Sequence, residues 1–180
     1  MSFLQKLEDW PSPDKIRFIA IFSLIVIILA YIFMGMFFML ANYSMNFFAS
    51  QLSFNAFSMK LEYFPMVISN KIGAYGIGQI LDYLFMIGYG TLIFSLALII
   101  GRKYDSATIW RRSSYIIAIL GIAAAILDGI ENAFILLTLT DPLGFPDWWT
   151  VAHSCFALIK YICLFSSIIW AIIAVIKIKI

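Results

Sequence analysis

Four long apolar runs, at residues 18–40, 76–100, 113–139 and 149–176, leave this chain few ways to fold. A bilayer crossing takes roughly 20 apolar residues in one helix, and each run supplies them. The first is the purest: from Phe18 to Leu40 there are 23 residues and no charge. In hydrocarbon every backbone N–H and C=O must be satisfied within its own segment, so such runs fold as helices. Composition agrees, with 63% hydrophobic and 12% charged residues, against about 45–50% and about 25% in soluble domains. The expectation is an all-α integral membrane protein with a single membrane domain over residues 1–180. It is a four-transmembrane-helix bundle with a structured extracytoplasmic loop, residues 41–75, between helices 1 and 2.

The first run is too long for a signal-peptide core of about 7–15 residues, so it reads as a retained helix. Basic residues divide unevenly between the two sides. Lys6, Lys15, Arg17, Arg102, Lys103, Arg111, Arg112, Lys177 and Lys179 fall on one side, Lys60 and Lys71 on the other, and Lys160 inside the fourth span. By the positive-inside rule both termini are cytoplasmic. The net charge of +2 is therefore a topology signal. The bases form no patch interleaved with exposed aromatics, and no nucleic-acid partner is expected. Cys155 and Cys163 lie eight positions apart on one helix, about 12 Å and too far for a disulfide. Asn42 opens an "NYS" glycosylation spacing, but it abuts a helix end and reads as chance.

In the long connection "FSMKLEYF" alternates Phe57, Met59, Leu61 and Tyr63 with Ser58, Lys60 and Glu62. A period of two predicts a short extended segment over the outer helix ends, with Glu62 as a solvated loop charge or a lid contact. The last connection, "TDPLGFPDWW", reads as a tight turn with Trp148 and Trp149 at the membrane interface.

Polar residues interrupt the later spans in register. Asp128, Glu131 and Asn132 are spaced i, i+3, i+4 and share a helix face. Gln79, Asp82, Met86 and Tyr89 make a stripe on the second span, with Tyr83 beside it, and His153, Lys160 and Ser167 recur every seven residues on the fourth. With cytoplasmic termini these groups fall about 8–18 Å below the outer boundary, so three helices bring polar faces to one depth. The first span offers only Ser23, Tyr31 and one glycine, and reads as packing.

Asp82, Tyr89, Asp128, Glu131, Asn132, His153 and Lys160 are the candidate ligand-binding residues, with Asp128, Glu131 and Lys160 the candidates for any catalysis. Ionisable groups inside a membrane are expensive and by default mark a functional site. Three carboxylates against one lysine leave a formal charge of −2. At least one carboxyl must hold a proton, or a cationic ligand or metal must share the site. One His and two separated Cys exclude a structural zinc set and bis-histidine haem, and neither metal nor cofactor is expected. The oxygens of Asp82, Asp128, Glu131 and Asn132 would nonetheless suit a hard cation.

"LEYF", "LDYLF", "DGIEN" and "LIKY" together resemble a group of small prokaryotic four-helix membrane proteins. That group has an acidic residue after an alternating loop segment, a Leu-Asp-aromatic opening to helix 2, Asp-x-x-Glu-Asn late in helix 3, and a lysine in helix 4. The resemblance spans most of the chain after the first helix. It implies Glu62, Asp82, Asp128, Glu131, Asn132 and Lys160 as site residues, and implies no activity.

Three functions fit these residues. One is a site that binds, or also processes, a lipid-like amphiphile. The second is a structural subunit or assembly factor whose polar cluster clamps the helices against each other or a partner subunit. The third is a proton- or cation-coupled carrier, working as a homo-oligomer. "IFSLALII" and "SSIIWAIIAVI" carry only serines through the inner halves of the spans. A cavity closed on that side suits a ligand better than a conduit. Membrane lipids and an amphiphilic ligand are the expected partners.

Overall fold

Helix-forming apolar residues with well-placed ends set the architecture. The computed structural model describes residues 7–43 and 46–178. Lys6, Lys179 and Ser44 of the "NYS" spacing lie outside the described residues. The helices bounded within the described residues are α1 (Pro13–Leu40), α2 (Phe47–Gln51), α3 (Ala56–Ile68), α4 (Ile72–Gly101), α5 (Ile109–Thr138) and α6 (Asp147–Ile178). Four of them, α1, α4, α5 and α6, are long and apolar enough to cross a membrane. Each begins a few residues before its expected span, and the ends fall close to those expected, α1 at Leu40 and α5 one residue short at Thr138. Cys155 and Cys163 are free.

End signals are legible residue by residue. Pro13 takes a first-turn position in α1, where no N–H partner is needed. Asn42 follows α1 at φ 58° and Asn70 follows α3 at φ 55°. After each, the next residue's N–H reaches back five positions: Tyr43 to the Phe38 carbonyl at 2.9 Å, and Lys71 to that of Met66 at 2.7 Å. These are Schellman ends, in which an asparagine takes the left-handed position usual for glycine. Asn42 therefore has a structural role.

"FSMKLEYF" is helical, which overturns the extended reading. Asn55 Oδ1 caps α3, accepting from the N–H of Phe57 at 2.9 Å and of Ser58 at 3.4 Å. Ala56, Met59, Tyr63 and Met66 form the buried stripe at helical spacing, while Phe57, Leu61, Phe64 and Ile68 form an exposed one. Both faces are apolar, so a period-two alternation was embedded in a helix carrying two hydrophobic stripes. α3 crosses the ends of the long helices. Tyr63 shares a hydrogen bond with Thr138 of α5, and Lys60 pairs with Asp147 of α6 at 2.8 Å.

The four long helices pack in chain order, α1 on α4, α4 on α5 and α5 on α6. α1 and α6 share no extended contact, so the bundle is open on that side. α2 lies along α6 there: Phe48 stacks on Tyr161 with ring centroids 4.5 Å apart and reaches Phe165 at 6.3 Å.

Candidate functional site

Lys160 sits at the centre. Its ammonium lies 2.9 Å from Asp128 Oδ1, 2.5 Å from Glu131 Oε2 and 3.3 Å from Gln51 Oε1. An ammonium has three N–H donors, and here three acceptors surround it. Tyr89 donates to the other Asp128 oxygen at 2.8 Å, and Asn132 Nδ2 donates to Asp82 Oδ2 at 2.8 Å. His153 Nε2 stands 3.4 Å from Glu131 Oε1. All seven expected residues thus fall in one cluster built by α4, α5 and α6, in which Asp82 and Asn132 form a bonded pair and the other five a connected group.

The network divides in two. Asp82, Tyr89, Asp128 and Lys160 line a cavity of about 410 Å³, together with Gln51, Tyr161 and apolar residues of α1, α4 and α6. Glu131, Asn132 and His153 are buried behind them and do not line it. Helix geometry accounts for the split: three residues on, Glu131 is turned about 60° from Asp128 around the α5 axis. Asp128 meets the cavity while Glu131 faces the α5–α6 contact. His153 Nδ1 and Asn132 Oδ1 are buried with no hydrogen-bond partner among the described residues.

The cavity lies where the bundle is open, between α1 and α6. Its polar end holds Asp82, Asp128, Lys160 and Gln51, and its apolar end Ile93, Leu164 and Ile168. Tyr31, Phe85 and Tyr89 form an aromatic side, with successive ring centroids 6.4 and 5.7 Å apart. Among the described residues no group of three His, Cys, Asp or Glu side chains is arranged to hold a metal ion.

Some expected residues take other places. Ser167 donates to the Cys163 carbonyl at 2.8 Å, Gln79 is buried, and neither lines the cavity. Tyr83 is tied to the Gly129 carbonyl at 3.0 Å. Glu62 is one step removed: Ser50, next to Gln51 on α2, donates to its Oε2 at 2.8 Å. Gln51, Tyr31 and Tyr161 had not been expected in the site. Gln51 lies 109 positions from Lys160 in a connecting segment and accepts from both Lys160 and the Tyr161 hydroxyl.

Burial pushes the Glu62 carboxyl above its ordinary 4.5, with Ser50 and then His153 acting in the opposite direction. A carboxyl raised in the folded state holds its proton longer there than in the unfolded chain. Its ionisation therefore weakens the fold as pH rises above the unfolded value. Glu62→Gln keeps an acceptor for Ser50 and removes the ionisation. Its melting temperature should match wild type below about pH 4 and exceed it at neutral pH; the same difference at both pH values would refute this.

Comparison of the chain with protein-family models, with curated proteins and with solved structures returned no match to any of them.

Proposed function

We propose that this chain is a multi-pass membrane protein, with both termini cytoplasmic, that takes a single amphiphilic molecule into the cavity between α1 and α6. The polar head meets Asp82, Asp128, Lys160 and Gln51, and the tail lies toward Ile93, Leu164 and Ile168. One observation carries this reading: a cavity of about 410 Å³ is charged at one end and apolar at the other. That volume is within the usual range for small-molecule sites, roughly 300–1,000 Å³. The opening faces the surroundings of the helices, so a lipid-like molecule can enter sideways without crossing the bundle. Below it, the next cavity is lined by Ile93, Leu96, Ala97, Ile117 and other residues with no ionisable group, which favours a ligand site over a carrier.

The buried half of the network supports a clamp as a second role. Glu131 and His153 join α5 to α6 away from the cavity, a use of intramembrane polar groups that fixes helix register. The two roles coexist if the clamp holds Lys160 and Asp128 in place for the ligand.

Native mass spectrometry of the full chain in a mild neutral detergent tests the reading. Leu164→Trp fills the apolar end and leaves the ionic network untouched. Wild type should carry a lipid-like adduct, or take one up when amphiphiles are added, and the folded variant should carry none. A wild type that takes up no amphiphile, or a variant that binds equally well, would refute the cavity site.

A further inference from the structure

We infer that the head received by this cavity is an ammonium and that Asp82 is the residue that recognises it, an inference that rests on the amphiphile reading above. The cavity's only cation among the described residues is already spent. Lys160 has three N–H donors, which face Asp128, Glu131 and Gln51. An anionic head would have to compete with hydrogen bonds to Asp128 and Gln51 and with the Glu131 ion pair. The hydroxyls of Tyr89 and Tyr161 are likewise committed, to Asp128 and to Gln51. What remains at the wall as donors, the Gln51 amide and the Tyr31 hydroxyl, is neutral.

Acceptors are in surplus. Asp82 lines the cavity, and its one hydrogen bond comes from the neutral Asn132 amide. None of the five ion pairs among the described residues includes it. Asp82, Asp128 and Glu131 against Lys160 give the formal excess of negative charge noted in the sequence, and Asp82 is the member with no ion-pair partner among the described residues. An ammonium head would supply both the missing charge and N–H donors for its open oxygen. The adjoining side of Tyr31, Phe85 and Tyr89 presents aromatic rings, and ring faces attract ammonium groups. Asn132, buried behind, acts as a positioning residue by holding Asp82 Oδ2 and leaving the other oxygen to the cavity.

Three probes with one tail and different heads decide this: dodecylammonium, dodecanol and dodecyl phosphate. Each is titrated calorimetrically at neutral pH into the full chain in a neutral maltoside detergent. Dodecylammonium should bind most tightly and dodecyl phosphate most weakly. A charge-assisted contact at a partly enclosed carboxylate separates them by roughly ten- to a hundredfold. Asp82→Asn retains an oxygen for Asn132 and should lose dodecylammonium affinity by a similar factor, so that the preference for dodecylammonium over dodecanol disappears. Equal or tighter binding of dodecyl phosphate or dodecanol by wild type would overturn the inference without need of the variant, as would an Asp82→Asn protein that still prefers the ammonium. Leu164→Trp separates the two failures. If another head binds and Leu164→Trp abolishes that binding, the ammonium falls and the amphiphile site stands. If no probe shows binding sensitive to Leu164→Trp, both fall.

Discussion

Lys160→Met should destabilise the protein by roughly 3–5 kcal/mol, measured by denaturation in detergent, the loss expected when one partner of a buried ionic group is removed. Methionine fills much of the same volume, so the change is chiefly one of charge. In wild type the ammonium contacts Asp128 at 2.9 Å and Glu131 at 2.5 Å, and Lys160 and Glu131 are only 3% and 0% exposed. Without it two carboxyl groups three residues apart on α5 share one enclosed space, with only the His153 imidazole, 3.4 Å from Glu131, beside them. Gln51 also loses its Lys160 donor, which leaves α2 held at that point by Tyr161 alone. Adding Glu131→Gln to Lys160→Met should recover part of the loss, because it removes one of the two carboxylates left behind. That non-additivity is the signature of direct coupling. A Lys160→Met protein within about 1 kcal/mol of wild type would mean that the lysine is not the counter-charge that holds α5 to α6.

Much of this site was legible because helices impose a period. Asp128, Glu131 and Asn132 share a face by spacing alone, as do His153 and Lys160; all five are buried, four in one ion-paired group and Asn132 on Asp82 beside it. Spacing also ranks neighbours too coarsely, since it did not separate Asp128 at the cavity from Glu131 behind it. Gln51 left no trace, because its contact joins positions 109 apart and a glutamine in a connecting segment looks like any solvated residue. α3 was misread because its exposed stripe is as apolar as its buried one, which blurs period two with period 3.6. The gap between α1 and α6 was invisible for a different reason. Hydropathy says that a helix is apolar all round, and says nothing of whether protein or lipid covers each side. Tyr31, assigned to packing, faces that gap for the same reason.

Gly90→Leu should cost roughly 3 kcal/mol, the upper end of the usual overpacking range, and should weaken any ligand binding as well. Even a Cβ at Gly90 would lie 2.6 Å from Ala125 Cβ and 3.1 Å from the Gly121 carbonyl oxygen, so α4 and α5 touch backbone to backbone here. Side-chain rotation cannot relieve a clash with a carbonyl; the helices must part. Gly88 does the same for the other flank, where a Cβ would meet Ile27 Cγ1 at 2.8 Å and the Ser23 carbonyl oxygen at 3.4 Å. Two residues apart, the glycines point about 200° away from each other, which draws α5 onto one side of α4 and α1 onto the opposite side. Tyr89, between them, is left facing the cavity and reaches Asp128 at 2.8 Å. Spreading α4 from α5 would stretch that hydrogen bond and the one from Asn132 to Asp82, so stability and binding should fall together. Gly73→Leu is the control: nothing lies within 4 Å of a Cβ there, and the change should stay within about 0.5 kcal/mol. Equal effects at the two glycines would mean that Gly90 matters for backbone entropy alone, and that the close crossing does not set the geometry of the site.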